Sequence, residues 1–315
     1  MSQESVRNKA LMSLVFVSAI WAVAAIVIKE VLLVIPPIFF LWIRFFFSSL
    51  VTVKSLKSGR TVLKKHLKLI VLHSLLSAPL ALGFLFAGIE RTGILNLSAA
   101  QVVAPIVTMV AASIFLKEKI TKIEKTGALI TIIGATIIGL EPVLSGGSFN
   151  SQLTGNLFLA GFIVFDAASV LVLKLLMKST KEAAFVTDIS FTIGFLALTP
   201  IIFWVYSSAE IVSLFSKVDL IVLLGVLYMA LVSGNLAFTI RASAQKFLKV
   251  EEASLFGYLT PIMSAPLAVL FLGEKLTLVF VLGAVFTAAG VFVSESKHLP
   301  SFKTRPKWLS LLKNH

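Results

Sequence analysis

The chain contains no cysteine. A disulfide framework, a thiolate metal site and a cysteine nucleophile are therefore excluded. Charge is scarce as well: 14% of residues are Asp, Glu, Lys or Arg, where a soluble domain carries about 25%. Acids are the rarer sign, 15 against 28 Lys and Arg, for a net charge of +13. The four histidines (His66, His73, His298 and His315) lack metal-ligand spacing, so neither a metal nor another cofactor is expected. No G-x4-G-K-[ST] run is present, which disfavours a nucleotide-driven pump. What fills the 315 residues instead is apolar: 58% hydrophobic, with mean hydropathy +1.00. One water-soluble core could not hide that much apolar surface. The remaining class is a polytopic membrane protein, with the lipid bilayer as its first partner. The basic excess would suggest nucleic acid in a soluble chain. Here it is read as the charge that holds loops in the cytoplasm, with no nucleic-acid partner.

A hydrocarbon core about 30 Å thick needs about 20 apolar residues per helix. Ten such segments can be marked off, at 11–28, 36–53, 67–88, 95–116, 124–140, 155–173, 184–205, 218–239, 251–272 and 277–294. Strand-like alternation is absent, so the expected fold is an all-α integral membrane protein of ten transmembrane helices. The first segment follows Arg7 and Lys9 and is too long for a signal peptide. Loops on the side of the N-terminus carry 23 of the 28 Lys and Arg residues; the other side keeps Lys29, Arg91, Lys217 and Lys275, and Arg44 lies inside a span. That asymmetry predicts both termini in the cytoplasm. A prokaryotic inner membrane is the default setting.

Residues 98–121 and 254–277 align without gaps at a shift of 156. Ser98 meets Ser254, Pro105 meets Pro261, and Glu118-Lys119 meets Glu274-Lys275. The same shift carries Gly127 onto Gly283 and Gly134 onto Gly290. Polar and glycine matches at one offset indicate a duplication. The unit holds five spans, an odd number, so the second copy must enter the membrane inverted. The expected units are a first five-helix repeat at 1–140, a linker at 141–155, a second repeat at 156–296 and a basic tail at 297–315.

These residues resemble the drug/metabolite transporter superfamily, in its EamA branch. Trp21 is followed eight residues later by Lys29, and Pro37 and Arg44 resemble the family's P-x6-R. Pro261 leads to the family's Leu272-Gly273-Glu274; in the first half Lys117 stands in the glycine place before Glu118. The resemblance implies a ten-helix secondary transporter for small organic solutes, with alternating access between two inverted repeats. It does not imply a particular solute.

A charge inside a span is a functional hypothesis by default. Arg44 falls about 12 Å and Asp166 about 15 Å below the outer surface, both near the midplane. Matching Lys29 to Lys174 sets Asp166 opposite Trp21 in the duplicated unit, where the family keeps an aromatic or small residue. Asp166 is therefore the sharper candidate, either for a cationic group of the substrate or for a proton. The bland alternative is a bracing contact between Arg44 and Asp166. Asp188, near a span end, reads as solvated or as a partner of Lys181. Pro105 frees the carbonyl of Gln101 and Pro261 that of Gly257; Gln101 and Tyr258 would then line the site. Trp21 could stack on a flat or cationic ligand, whereas Trp42 is expected to face lipid. Asn235 is a further site candidate, and with His73 it also reads as a helix–helix hydrogen bond. Glu118 and Glu274 are expected as structural anchors. Gly127, Gly134, Gly283 and Gly290 permit close packing or a homodimer seam. Asn96-Leu97-Ser98 matches a glycosylation sequon but abuts a span.

The substrate expected from Asp166 is a cationic or amine-bearing metabolite. The alternative is a zwitterionic amino acid whose carboxylate meets Arg44. A membrane enzyme would need a facing catalytic constellation that His73 alone does not supply. A channel would need rings of charge or carbonyls.

Overall fold

The computed structural model describes residues 3–117, 120–140, 144, 151–180, 182–244, 247 and 256–295. Glu118, Lys181, the basic tail and most of the 141–155 linker lie outside them. Apolar side chains run around every face of the long segments, and helix is the element that pairs all its own backbone groups in lipid. The described elements are accordingly helical: α1 (Gln3–Leu32), α2 (Pro37–Leu75), α3 (Gly83–Arg91), α4 (Ile94–Phe115), α5 (Lys122–Gly139), α6 (Ser151–Ser179), α7 (Ala183–Val205), α8 (Ser208–Ser216), α9 (Leu220–Leu227), α10 (Ala237–Ala244), α11 (Leu259–Leu272) and α12 (Leu278–Glu295). Six helical stretches are long and apolar enough to cross a bilayer by length and composition; Pro37–Val53, Leu259–Leu272 and Leu278–Val293 are shorter.

Local signals set the ends. Pro37 starts α2 at a position where its missing N–H costs nothing. Thr121 and Glu124 form a capping box at α5, and Ser207 and Glu210 form another at α8. The α2 helix bends at His66 (φ −123°, ψ 24°), so the basic stretch after residue 53 continues as helix rather than as loop. Pro261 lies in the first turn of α11. The sequence reading had it freeing Gly257 within a helix, but Gly257 belongs to a 3-10 turn (Phe256–Tyr258) ahead of α11. A proline in a first turn removes no helical bond.

Two π-helical segments interrupt the bundle, Leu76–Leu82 between α2 and α3 and Tyr228–Leu236 between α9 and α10. They occupy matching places in the two halves. The packing is symmetric in the same sense. Helices α2 and α7 pair, as do α4 and α11, and α5 and α12; α3 packs on α6 as α10 packs on α1. Equivalent helices run antiparallel. Trp42 meets Thr199, Thr52 meets Thr192, and Ser55 meets Asp188, one number rising as the other falls.

The α5–α12 pair uses the repeated glycines. A Cβ on Gly134 would collide with the backbone nitrogen of Thr287, and one on Gly290 with that of Thr131. Thr131 and Thr287 are related by the same shift of 156. These glycines thus make a close seam inside the chain.

The main apolar core gathers Phe39, Phe40, Phe45, Phe86 and Phe191 with aliphatic side chains from both halves. Trp42, expected on lipid, is half-buried: its Nε1 donates to Thr199 Oγ1 (3.0 Å) and its ring stacks on Phe195. A tryptophan N–H in apolar surroundings needs an acceptor, and α7 provides one.

Candidate functional site

A cavity of about 190 Å³ lies among α1, α2, α4, α6 and α10 and the start of α11. On α1 its wall runs from Leu14 to Ile28, one residue short of Lys29. It therefore reaches from near the N-terminal end of the bundle to the last turn before the opposite end. Apolar groups make most of the wall. The polar exceptions include Arg44, Gln101, Asp166 and Arg241.

Arg44 is 1% exposed. Its guanidinium lies over the rings of Phe86 (5.5 Å) and Phe191 (5.8 Å). Its Nε and Nη1 have no hydrogen-bond partner among the described residues. Cation–π contact recovers part of the lost hydration, but unpaired buried N–H groups are costly. A guanidinium kept in this condition beside a cavity is ready for a carboxylate, which it can bind through two parallel bonds.

Asp166 stands on α6 with part of its surface open to the cavity. Among the described residues its carboxylate makes no hydrogen bond or ion pair, so the bracing contact with Arg44 is not formed. Arg241, from α10, acts electrostatically on Asp166 and lies over the Trp21 ring at 5.4 Å. Trp21 Nε1 donates to the carbonyl of Ser233 in the second π segment (3.1 Å). That bond fixes the indole at the cavity wall. Gln101 and Pro105 of α4 also reach the wall, and Gln101 Oε1 is buried without a hydrogen-bond partner among the described residues.

The structure thus brings Trp21, Arg44, Gln101 and Asp166 together. Asn235 and Tyr258 are not among the lining residues, although Gly257 and Thr260 beside Tyr258 are. Asn235 Nδ2 donates to Asp188 Oδ1 (2.8 Å), and Ser55 Oγ donates to Asp188 Oδ2 (2.8 Å). Asp188 is therefore not solvated, and Lys181, its other expected partner, lies outside the described residues. It is 4% exposed and joins α2, α7 and the second π segment through neutral donors. Burial is tolerable because both carboxylate oxygens are bonded.

Arg241 is the site residue that the sequence reading missed, having counted it among loop charges. The signal was its place inside a helical stretch that continues to Ala244, past the expected end at 239.

Beyond Ile28, polar contacts join the helix ends next to the cavity. Lys29 Nζ donates to the carbonyls of Ile89 (2.8 Å) and Thr92 (2.6 Å), at the C-terminal end of α3. Glu274 Oε1 and Oε2 accept from the backbone N–H groups of Ile94 (2.6 Å) and Leu95 (2.8 Å), at the N-terminal end of α4. Opposite charges thus sit on opposite helix-end dipoles of one corner. Gly93 leaves room for the Glu274 carboxylate, which an added Cβ would strike. Asn96 is buried, with its amide donating to Asn156 Oδ1 (2.8 Å) and Thr92 Oγ1 (2.8 Å). The sequon thus lies inside the bundle.

A helical bundle with apolar spans and a mostly apolar cavity that carries a few polar groups between two like halves fits a multi-pass membrane transporter. The sequence pattern of the EamA-like transporter family matches residues 8–140 and again 153–295. The chain belongs to that family. Over 195 residues it is 25% identical to the uncharacterized transporter YdfC of Bacillus subtilis (strain 168), covering 60% of this chain and 58% of that one. The match thus spans less than two-thirds of that relative. A solved crystal structure superimposes on 92% of this chain and 98% of its own with a TM-score of 0.63, at 13% identity, which is a likeness of fold.

Proposed function

We propose that this transporter is a secondary carrier of ten membrane-crossing helices, two inverted five-helix repeats, that moves a small zwitterionic solute of amino-acid type by alternating access. The observation that carries the reading is Arg44, buried at the cavity wall with unmatched N–H groups and no acid paired to it among the described residues. A substrate carboxylate would complete it. Asp166, across the same cavity, suits the substrate ammonium, and Trp21 flanks the space between. The corner held by Lys29 and Glu274 is read as the closed outer gate. The basic loops put both termini in the cytoplasm, so this conformation faces inward. Inverted repeats favour a mirror-related outward state of similar energy.

A purely cationic solute is the second reading. It is favoured by the unpaired Asp166 carboxylate beside Trp21. Two arginines against one acid on the wall weigh against it.

The test is counterflow in proteoliposomes loaded with a mixture of amino acids. Uptake of labelled amino acids should occur in the wild type and fall at least tenfold in Arg44→Met. Exchange of carboxylate-free organic cations only, with amino acids inert, would sink the zwitterion reading.

A further inference from the structure

Asp166 borders a second space as well as the main cavity. Behind it, between α2, α6, α7 and α10, lies a small chamber of about 30 Å³. About 10–15 Å³ of such space holds one water molecule, so there is room for about two. His73, Ser169, Thr187 and Ser190 line it with Asp166 and Arg241. Hydroxyl groups on α6 and α7, with the Asp166 carboxylate and His73, give this largely apolar chamber the two to four polar partners that a buried water needs.

His73 is 7% exposed, and its Nδ1 lies 3.1 Å from the carbonyl of Ser169. A carbonyl only accepts, so Nδ1 carries the hydrogen and Nε2 is the nitrogen free to take a proton. Ser169 is three residues beyond Asp166, about 4.5 Å along α6. The imidazole and the carboxylate thus border one small chamber, with His73 held to α6 one helical turn beyond Asp166.

The charged and titratable groups around Asp166 are few. From α2 come His73 in the chamber and Arg44 in the cavity; from α10 comes Arg241, which acts on both Asp166 and His73. The lining residues of α1, α4 and α7 are uncharged. Arg241 places a fixed positive charge beside both groups.

We propose that Asp166 and His73, joined by water in the chamber, form a proton-binding site, separate from the Arg44 solute anchor. Its use in coupling rests on the carrier reading; the proton site itself does not. From the cavity side Asp166 exchanges its proton with water, and from the chamber side it hands it to His73 Nε2. The carboxyl group loses its O–H bond as the imidazolium N–H forms, and the reverse step restores both.

The site can be tested without a solute, by infrared difference spectroscopy of the intact protein in lipid during a pH titration. The wild type should show a carboxylic C=O band that appears and disappears reversibly with pH. The band should vanish in Asp166→Asn and persist, shifted, in Asp166→Glu. In His73→Gln its midpoint should move by at least about half a pH unit, because the shared acceptor is gone. A band that survives Asp166→Asn, no band in the wild type, or an unmoved midpoint in His73→Gln would each overturn the proposal. The companion measurement uses an entrapped pH dye and the amino-acid mixture as probe. Amino-acid addition should move the lumenal pH in the wild type and not in Asp166→Asn. Counterflow that fails while the infrared band holds removes the carrier reading alone.

Discussion

Lys117 and Gly273 hold the same left-handed backbone, at φ 56° and φ 64°, just past the ends of α4 and α11. They are related by the shift of 156 that aligns the two halves. The repeat therefore keeps its backbone at a position where one copy has lost the glycine. A lysine in that region carries a steric penalty of about 1–2 kcal/mol, since its Cβ crowds the following carbonyl. Lys117→Gly should recover that penalty less the extra chain entropy of glycine, a gain of about 0.5–1 kcal/mol. Thermal unfolding in detergent should show a small rise in Tm for Lys117→Gly and a fall for Gly273→Ala.

Arg44 is a second residue held at a cost. Its unpaired N–H groups make it a cost to the empty protein, so Arg44→Met should raise stability by about 1–3 kcal/mol. The variant should also lose all stabilisation by added amino acids, which for the wild type at about 100 times Kd would be about 2.7 kcal/mol. A lower Tm in Arg44→Met would show that the ring contacts with Phe86 and Phe191 outweigh the missing hydrogen bonds.

Glu274 makes two charge-assisted bonds to one helix end, and each such bond is worth about 1.5–3 kcal/mol. Glu274→Gln keeps the size and one acceptor but loses the charge. A cost of about 1.4 kcal/mol would shift the open fraction tenfold. The absence of cysteine gives a clean background for the measurement. A cysteine placed at Leu97, which lines the cavity beneath this corner, should react with an impermeant maleimide from the outer face about tenfold faster in the Glu274→Gln background. Equal rates would mean that the corner is not a gate.

The α5–α12 seam predicts sensitivity at two glycines that no ligand touches. Gly134→Ala and Gly290→Ala should each destabilise the protein by about 1–3 kcal/mol, since the colliding atoms are backbone and the helices must part. Gly83→Ala should be nearly neutral, because nothing lies within 4 Å of its added Cβ. The comparison is one of unfolding temperatures in a single detergent.

Much of this was legible in the sequence because lipid imposes simple rules. Helices announce themselves by length and hydropathy, and a polar residue inside one is rare enough to single out. Arg44, Asp166, Gln101 and Trp21 stand out for that reason, and all four reach the cavity. Glu274 was readable as an anchor, but the helix end it holds belongs to the other half, 180 residues away in the chain. Asp188 and Asn235 illustrate the opposite case. Both are polar residues in apolar runs, yet they are bonded to each other and not to the cavity.

The sequence by itself determined the helical class, the duplication, the family and the short set of polar residues that needed an explanation. It did so because composition, period and offset are properties of one dimension. Only the tertiary structure decided which polar residues satisfy each other and which are left facing a space. Among the described residues Arg44 Nε and Nη1 have no hydrogen-bond partner, both Asp188 carboxylate oxygens are bonded, and Arg241 turns inward over Trp21. Hydrogen-bond satisfaction depends on distances of about 3 Å between helices far apart in the chain, and no one-dimensional pattern contains them.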